Sequence, residues 1–220
     1  MQSEKRALIA GFAAAAAALM VFGWLANFVL RGGILRFDAA VRNTVHSWAS
    51  PSFTWSMRVV TELGEVYFLV ALGAFLVWRL AVSGRRHAAL IFVWAVAGAE
   101  ALDQILKFLF HRPRPGAFFG LDQPATYSFP SGHALVSTVF YGVLAAVLTV
   151  REPSRARRIA IWTFAALLAG VIGFTRVYLG VHYPSDILAG YAAAVIWVAA
   201  VSAGYRMWLR RTRSRRERLL

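Results

Sequence analysis

Apolar residues in this chain come in long runs separated by short polar connections, and the length of the runs constrains the fold first. Segments 8–30, 65–80, 87–110, 134–150, 159–175 and 187–205 are mostly apolar. About 20 such residues in an α-helix cover the hydrocarbon core of a bilayer, so six transmembrane helices are expected. The second run carries Arg79 at one end and can extend back toward Thr54, while the third contains Glu100, Asp103 and Lys107. The alanines at 13–18 favour helix and allow close helix contact in lipid. Between the first two runs, Phe37, Val41, Val45 and Trp48 recur at helical spacing while Arg36, Asp38, Arg42 and Asn43 fall elsewhere. That pattern predicts a short helix lying in the outer interface, with packing against the bundle as the alternative.

Composition agrees: 59% of the 220 residues are hydrophobic, too many for an ordinary soluble domain, and one membrane-embedded domain over 1–220 is expected. The chain reads as all-α and polytopic. With the N-terminus in the cytoplasm, the outside segments hold Arg31, Arg36, Arg42, Arg58, Lys107, Arg112, Arg114 and Arg176, leaving the other 16 of the 24 Lys and Arg inside. The positive-inside rule therefore places both termini in the cytoplasm. The net charge of +14 includes a basic tail over 210–220. A juxtamembrane arginine run facing anionic lipid headgroups accounts for it better than nucleic acid does. Lys5 and Arg6 precede an apolar stretch much longer than a signal-peptide core, so the first helix reads as retained. The absence of cysteine excludes disulfides and thiolate metal sites.

Connections at 83–86 and 151–158 are short and basic, suited to tight helical hairpins. The connection at 111–130 is different, with Pro113, Pro115, Gly116, Gly120, Pro124 and Pro130 preventing a helix. Loops held by rigid elements commonly carry function.

Three clusters border that loop and its neighbours: Lys107 with Arg114-Pro115, Pro130-Ser131-Gly132-His133, and Arg176 with His182 and Asp186. They supply three cations able to clamp phosphate oxygens, a histidine for nucleophilic attack with a carboxylate to orient it, and a second histidine for proton transfer. The topology, assigned from apolar runs and basic loops alone, brings all three to one membrane face. Ser131 and Gly132 fall at a helix start, where free amides and the helix dipole favour an anion, and His133 projects from the first turn. An N-cap serine beside an ordinary interfacial histidine is an equally available reading of that tetrapeptide. His182 and Asp186 are four apart, a spacing that brings the carboxylate to one ring nitrogen and leaves the other unprotonated. Taken alone the pair reads as a local hydrogen bond rather than a catalytic dyad; Arg176 on the same side tips it toward catalysis. Lys107, Asp103 and Glu100 share a helical face and should turn inward and pair with each other. A structural pair of Asp103 with Lys107 is the alternative to a catalytic Lys107. His46, His87 and His111 read as surface histidines, with His111 and Arg112 in reach of substrate. No histidine and carboxylate grouping has zinc spacing, so neither a metal nor another cofactor is implied.

At these residues the chain resembles the type 2 phosphatidic acid phosphatase (PAP2) superfamily, whose motifs appear as Lys107-x6-Arg114-Pro115, Pro130-Ser131-Gly132-His133 and Thr175-Arg176-x5-His182-x3-Asp186. The motifs cover 107–186, and the six-helix layout extends the likeness to most of the chain. Thr175 stands where the family often has serine, keeping a hydroxyl. The resemblance implies that His182 attacks phosphorus to form a phosphohistidine, that His133 protonates the leaving oxygen and later activates water, and that Asp186 orients His182. Lys107, Arg114, Ser131, Gly132 and Arg176 would hold the phosphate oxygens. A soluble haloperoxidase branch shares the motifs around vanadate, but six spanning segments argue against it. A site at a membrane surface suits a lipid phosphate, and undecaprenyl diphosphate is the expected substrate, with Arg112 and His111 reaching its second phosphate. Phosphatidic acid, phosphatidylglycerol phosphate and lipid A phosphates are the competing substrates. A lipid phosphotransferase and a non-catalytic lipid-binding or transport protein are the other classes. Membrane lipids are the expected surroundings, nucleic acid is not an expected partner, and the sequence leaves the oligomeric state open.

Overall fold

Each long apolar run forms a helix, and several of the ends fall where local chemistry stops them. The computed structural model describes residues 2–122 and 125–217, with side chains over 9–208, so the last three residues of the expected basic tail lie outside the described residues. Among the described residues eight helices follow in order: α1 (Gln2–Leu30), α2 (Leu35–His46), α3 (Pro51–Glu62), α4 (Val66–Val82), α5 (Arg86–Phe110), α6 (Gly132–Thr149), α7 (Arg155–Tyr178) and α8 (Pro184–Glu217). Ser50, Ser131 and Ser154 cap α3, α6 and α7, each hydroxyl accepting from the backbone N–H three residues on. Pro51 and Pro184 open their helices, where a missing N–H costs nothing. α5 ends at His111, which turns into the left-handed region with φ 46° just ahead of Pro113.

α1, α5, α6, α7 and α8 are long and apolar enough to cross a membrane. The sixth crossing is made by α3 and α4 together, bent by 45° at Leu63-Gly64-Glu65. The protein is thus an all-α polytopic membrane protein, and the second apolar run is the α4 part of a broken span that α3 opens.

Half of the α6 span is buried against 11% for α1, which makes α6 the centre and α1 a peripheral helix. Leu135, Val139 and Phe140 of α6 meet Phe92, Ala95 and Ala99 of α5, Ile172 of α7, and Ala193 and Ala194 of α8. Alanines at these contacts let the helix backbones approach, the packing expected where lipid supplies no hydrophobic drive between helices. Large apolar side chains such as Phe12, Trp94 and Phe164 face outward to lipid instead.

The short helix expected between the first two spans is α2. It packs on α7 and α8 through buried Asp38 and Val45, leaving Leu35 and Phe37 exposed. The 111–130 connection is pinned at several points. Phe129 is fully buried against the rings of Phe22 and Phe110. Phe118 N–H donates to Leu179 O (3.0 Å), and Arg42 donates to Gly116 O (2.7 Å) and Gly180 O (3.1 Å). These contacts fold the loop over the α7–α8 turn, which carries His182.

Candidate active site

Helix ends on one face of the bundle converge on His182. Lys107 comes from the last turn of α5, Arg114 from the loop, Ser131 to His133 from the start of α6, Arg176 from the end of α7 and Asp186 from the first turn of α8. His182 itself is 2% exposed, in the turn between α7 and α8.

The tautomer of His182 follows from its partners. Arg114 Nη1 lies 3.0 Å from Nε2, and a guanidinium only donates, so Nε2 accepts and carries no proton. The proton is on Nδ1, which donates to Asp186 Oδ2 at 3.3 Å. Asp186 is held in turn by Tyr183 N–H (2.9 Å) and Arg112 Nη1 (2.5 Å). The spacing of four therefore does what the sequence allowed: the carboxylate takes one nitrogen and leaves the other unprotonated, facing Arg114.

Burial pushes the His182 pKa well below its ordinary value, and Arg114, Arg176, Lys107 and His133 push it the same way. A lowered pKa means that the ring stays neutral until the pH falls well under about 6.5. In kcat/KM, which reports the free enzyme, the acid limb due to His182 is expected below that pH, after allowance for the substrate's own second phosphate ionisation near pH ~6. An acid limb at or above pH ~6.5 that does not track the substrate would contradict the assignment.

The cations are fixed by separate partners. Arg114 donates to Thr126 O (2.8 Å), Thr126 Oγ1 (2.9 Å) and Val181 O (3.1 Å). Its pKa is lowered by burial, with Asp186 and Asp103 opposing, and a guanidinium remains charged regardless. Arg176 Nη1 donates to Thr61 Oγ1 (2.8 Å) and lies 3.6 Å from Glu65 Oε1. Lys107 Nζ pairs with Asp103 Oδ2 at 2.7 Å, both buried, beside Gly132. A Cβ at Gly132 would lie 2.8 Å from Asp103 Oδ2 and 3.2 Å from Lys107 Nζ, so glycine is what allows this approach. Ser131 caps α6 through its hydroxyl, and its N–H donates to Asp186 O (3.0 Å), locking the α6 and α8 starts together.

Several sequence expectations change. Arg112 does not reach outward: it is buried, with Nη1 on Asp186 and Nη2 on Asp38 Oδ2 (2.7 Å), so both arms are committed inside the protein. Glu100 does not join the Asp103–Lys107 pair; it accepts from Gln104 Nε2 (2.7 Å). The Thr175 hydroxyl donates to Ile172 O (2.6 Å) within α7. His46 is half-buried, stacked on Phe118 with ring centroids 3.9 Å apart, whereas His87 and His111 are exposed. Asp38, Thr61 and Glu65 carried no local signal, because their partners lie between 68 and 147 residues away. Among the described residues, no three His, Asp or Glu side chains are grouped as metal ligands.

A cavity of about 630 Å³ opens from this cluster down between α4, α5 and α6. Glu65, Lys107, Arg114, His133, Arg176 and His182 line its head, Glu100 and Gln104 its middle, and Leu69, Gly73, Ala74, Val77, Phe92 and Val96 its apolar depth. From Val66 to Val77 the α4 wall runs roughly 16 Å at the helical rise. Val66, Val70 and Val93 at its edge are exposed, so it opens sideways toward lipid.

Comparison with known proteins points the same way. The sequence model of the PAP2 superfamily matches residues 88–210. Phosphatidylglycerophosphatase B of Bacillus subtilis (strain 168) is 26% identical over 173 residues, 78% of this chain and 85% of that protein. Undecaprenyl-diphosphatase of Sulfolobus acidocaldarius is 28% identical over 156 residues, 66% of this chain and 71% of that protein. The crystal structure of a transmembrane PAP2 type phosphatidylglycerolphosphate phosphatase from Bacillus subtilis superposes with a TM-score of 0.80 at 24% identity. That superposition covers 88% of this chain and 96% of the other, a likeness of fold.

Proposed function

Because the chain belongs to the PAP2 superfamily, we propose that it is a membrane lipid phosphatase that removes a terminal phosphate through a phosphohistidine. One observation carries the reading: the unprotonated Nε2 of a carboxylate-held histidine lies among three cations at the head of a cavity whose depth is apolar and open to lipid. The charged end suits a phosphate, and the apolar depth suits the tail of the same molecule.

In this scheme Nε2 of His182 bonds to phosphorus as the ester bond breaks, and His133 gives a proton to the leaving oxygen. Water then attacks phosphorus, losing a proton to His133 and releasing His182. Asp186 holds the Nδ1 proton throughout. Lys107, Arg114, Arg176 and the Gly132 amide meet the phosphate oxygens, where charge is spread in the transition state. Arg114 would exchange its contact with Nε2 for one with phosphate as substrate binds. The site faces the periplasm or exterior, and the termini face the cytoplasm.

Fixed cations and helix-end amides fill the part that magnesium plays in many phosphoryl-transfer sites. Turnover of a soluble short-chain substrate is therefore expected to survive EDTA. Loss on chelation that magnesium restores would contradict this.

For the substrate, the commitment of Arg112 to two carboxylates removes one ground for undecaprenyl diphosphate. Phosphatidylglycerol phosphate, named for the relative with the larger mutual coverage, is thus the first lipid to assay, and undecaprenyl diphosphate, named for the other, the second. Purified protein is assayed for phosphate release from both, with phosphatidic acid and lipid A phosphates alongside. A tenfold higher kcat/KM for one lipid, about 1.4 kcal/mol in transition-state binding, decides between them. No release from any of them, or release only when an acceptor lipid is added, would overturn the hydrolase reading.

A further inference from the structure

The break between α3 and α4 wraps one histidine. Gly64 lies so close to the His133 ring that a Cβ there would be 2.9 Å from Cδ2, and 2.5 Å from Ile172 Cγ2. The Tyr141 hydroxyl donates to Leu63 O at 2.7 Å, tying the break to the helix that carries His133. The next residue, Glu65, places Oε1 3.1 Å from His133 Nε2. A glycine that admits the ring, a tyrosine that fixes the break and a carboxylate on one ring nitrogen together make a built cradle.

We propose that Glu65 is the positioning residue of the proton-transfer histidine, its carboxylate accepting the Nε2–H of His133 so that Nδ1 serves the leaving-group oxygen. The proposal rests on the phosphatase reading above. It gives the site a second carboxylate–histidine pair, complementary to the first: Asp186 takes Nδ1 of His182 and leaves Nε2, while Glu65 takes Nε2 of His133 and leaves Nδ1. When the phosphorus–oxygen ester bond breaks, its electron pair stays on the leaving oxygen and the Nδ1 proton of His133 moves there. When water bonds to phosphorus and the bond to His182 breaks, Nδ1 takes one proton back from that water. Glu65 stays ionised in both halves. Lys107 from α5, Arg176 from α7, and Arg114 and His182 from the loops border the same cavity, so a positively charged ring there is opposed from several elements. The Glu65 carboxylate offsets them by a charge-assisted hydrogen bond.

Glu65 also lies 3.6 Å from Arg176 Nη1, which suggests a simpler task, anchoring a phosphate-binding cation. The two tasks differ in how they depend on the leaving group. A nitrophenolate departs without a proton, whereas the alkoxide of a lipid needs one. The test compares kcat/KM of wild type and Glu65→Gln, as the full chain in detergent, on p-nitrophenyl phosphate and on short-chain phosphatidic acid. The expected loss on phosphatidic acid is about 10- to 100-fold, with less than about threefold on the nitrophenyl ester, whose retention also reports a folded site. Glu65→Asp, which keeps the charge, should recover part of the alkyl-ester rate. In a His133→Ala background, Glu65→Gln should add no further loss on phosphatidic acid, because residues that act as one unit are not additive. Equal losses on both substrates, full turnover of phosphatidic acid, or an added loss in the His133→Ala background would each overturn the role of Glu65. Wild-type protein that releases phosphate from neither substrate would instead overturn the phosphatase reading.

Discussion

Turnover by His182→Ala is expected to fall by about 10⁴-fold or more, to the assay background. No neighbouring side chain offers a replacement: Lys107, Arg114 and Arg176 are cations, and His133, with Nε2 on Glu65, has only Nδ1 left, which in the proposed scheme serves the leaving oxygen opposite the attacking nitrogen. The measurement is single-turnover labelling with a phosphate-labelled substrate. Wild type should carry a transient acid-labile label, His182→Ala none, and His133→Ala a label that accumulates because its hydrolysis is slow. Acid-labile label at the wild-type level in His182→Ala would rule out this nucleophile. Asp186→Asn should keep the fold and lose activity by about the same order, since an amide leaves the wrong ring nitrogen protonated.

Arg112→Ala should do more harm than any substitution of an exposed cation. It leaves Asp38 and Asp186, both fully buried, without the guanidinium that bridges them. Removing one partner from such a group typically costs about 3–5 kcal/mol, because a buried charge is left uncompensated. Thermal unfolding in detergent should shift down accordingly, and phosphate release should fall with it as Asp186 loses its strongest support. Arg112→Lys, a single point charge unable to hold both carboxylates in a planar fork, should be intermediate. If Arg112 served only a second substrate phosphate, stability would be unchanged and monophosphate lipids would be hydrolysed normally. Those two results together would refute the structural role.

The division between what the sequence disclosed and what it hid follows chain distance. His182 and Asp186 are one helical turn apart and Lys107 and Asp103 likewise, so their pairing is written in local spacing. The six apolar runs carry the membrane fold in the same local way. Asp38 meets Arg112 across 74 residues and Ser185 across 147, and its own neighbourhood shows only one polar position on an amphipathic helix. Arg112 is misread for the same reason: beside Pro113, in a loop, it has the local look of an exposed cation, and only the docking of α2 and α8 supplies the two carboxylates that draw it inward. Glu65 was legible as the edge of an apolar run and no more. The break after Leu63 that aims it at His133 depends on Tyr141 and Ile172, which lie on other helices.

The sideways mouth between α4 and α5, edged by Val66, Val70 and Val93, changes what concentration means for this protein. A molecule arriving through that mouth comes from a two-dimensional solution, so occupancy follows its mole fraction among the surrounding lipids, not its amount per litre. Adding inert lipid or detergent then acts as a diluent, slowing turnover while the bulk quantity of substrate stays fixed. The bilayer is in this sense the stock from which the reaction draws, and half-saturation belongs on a scale of surface density.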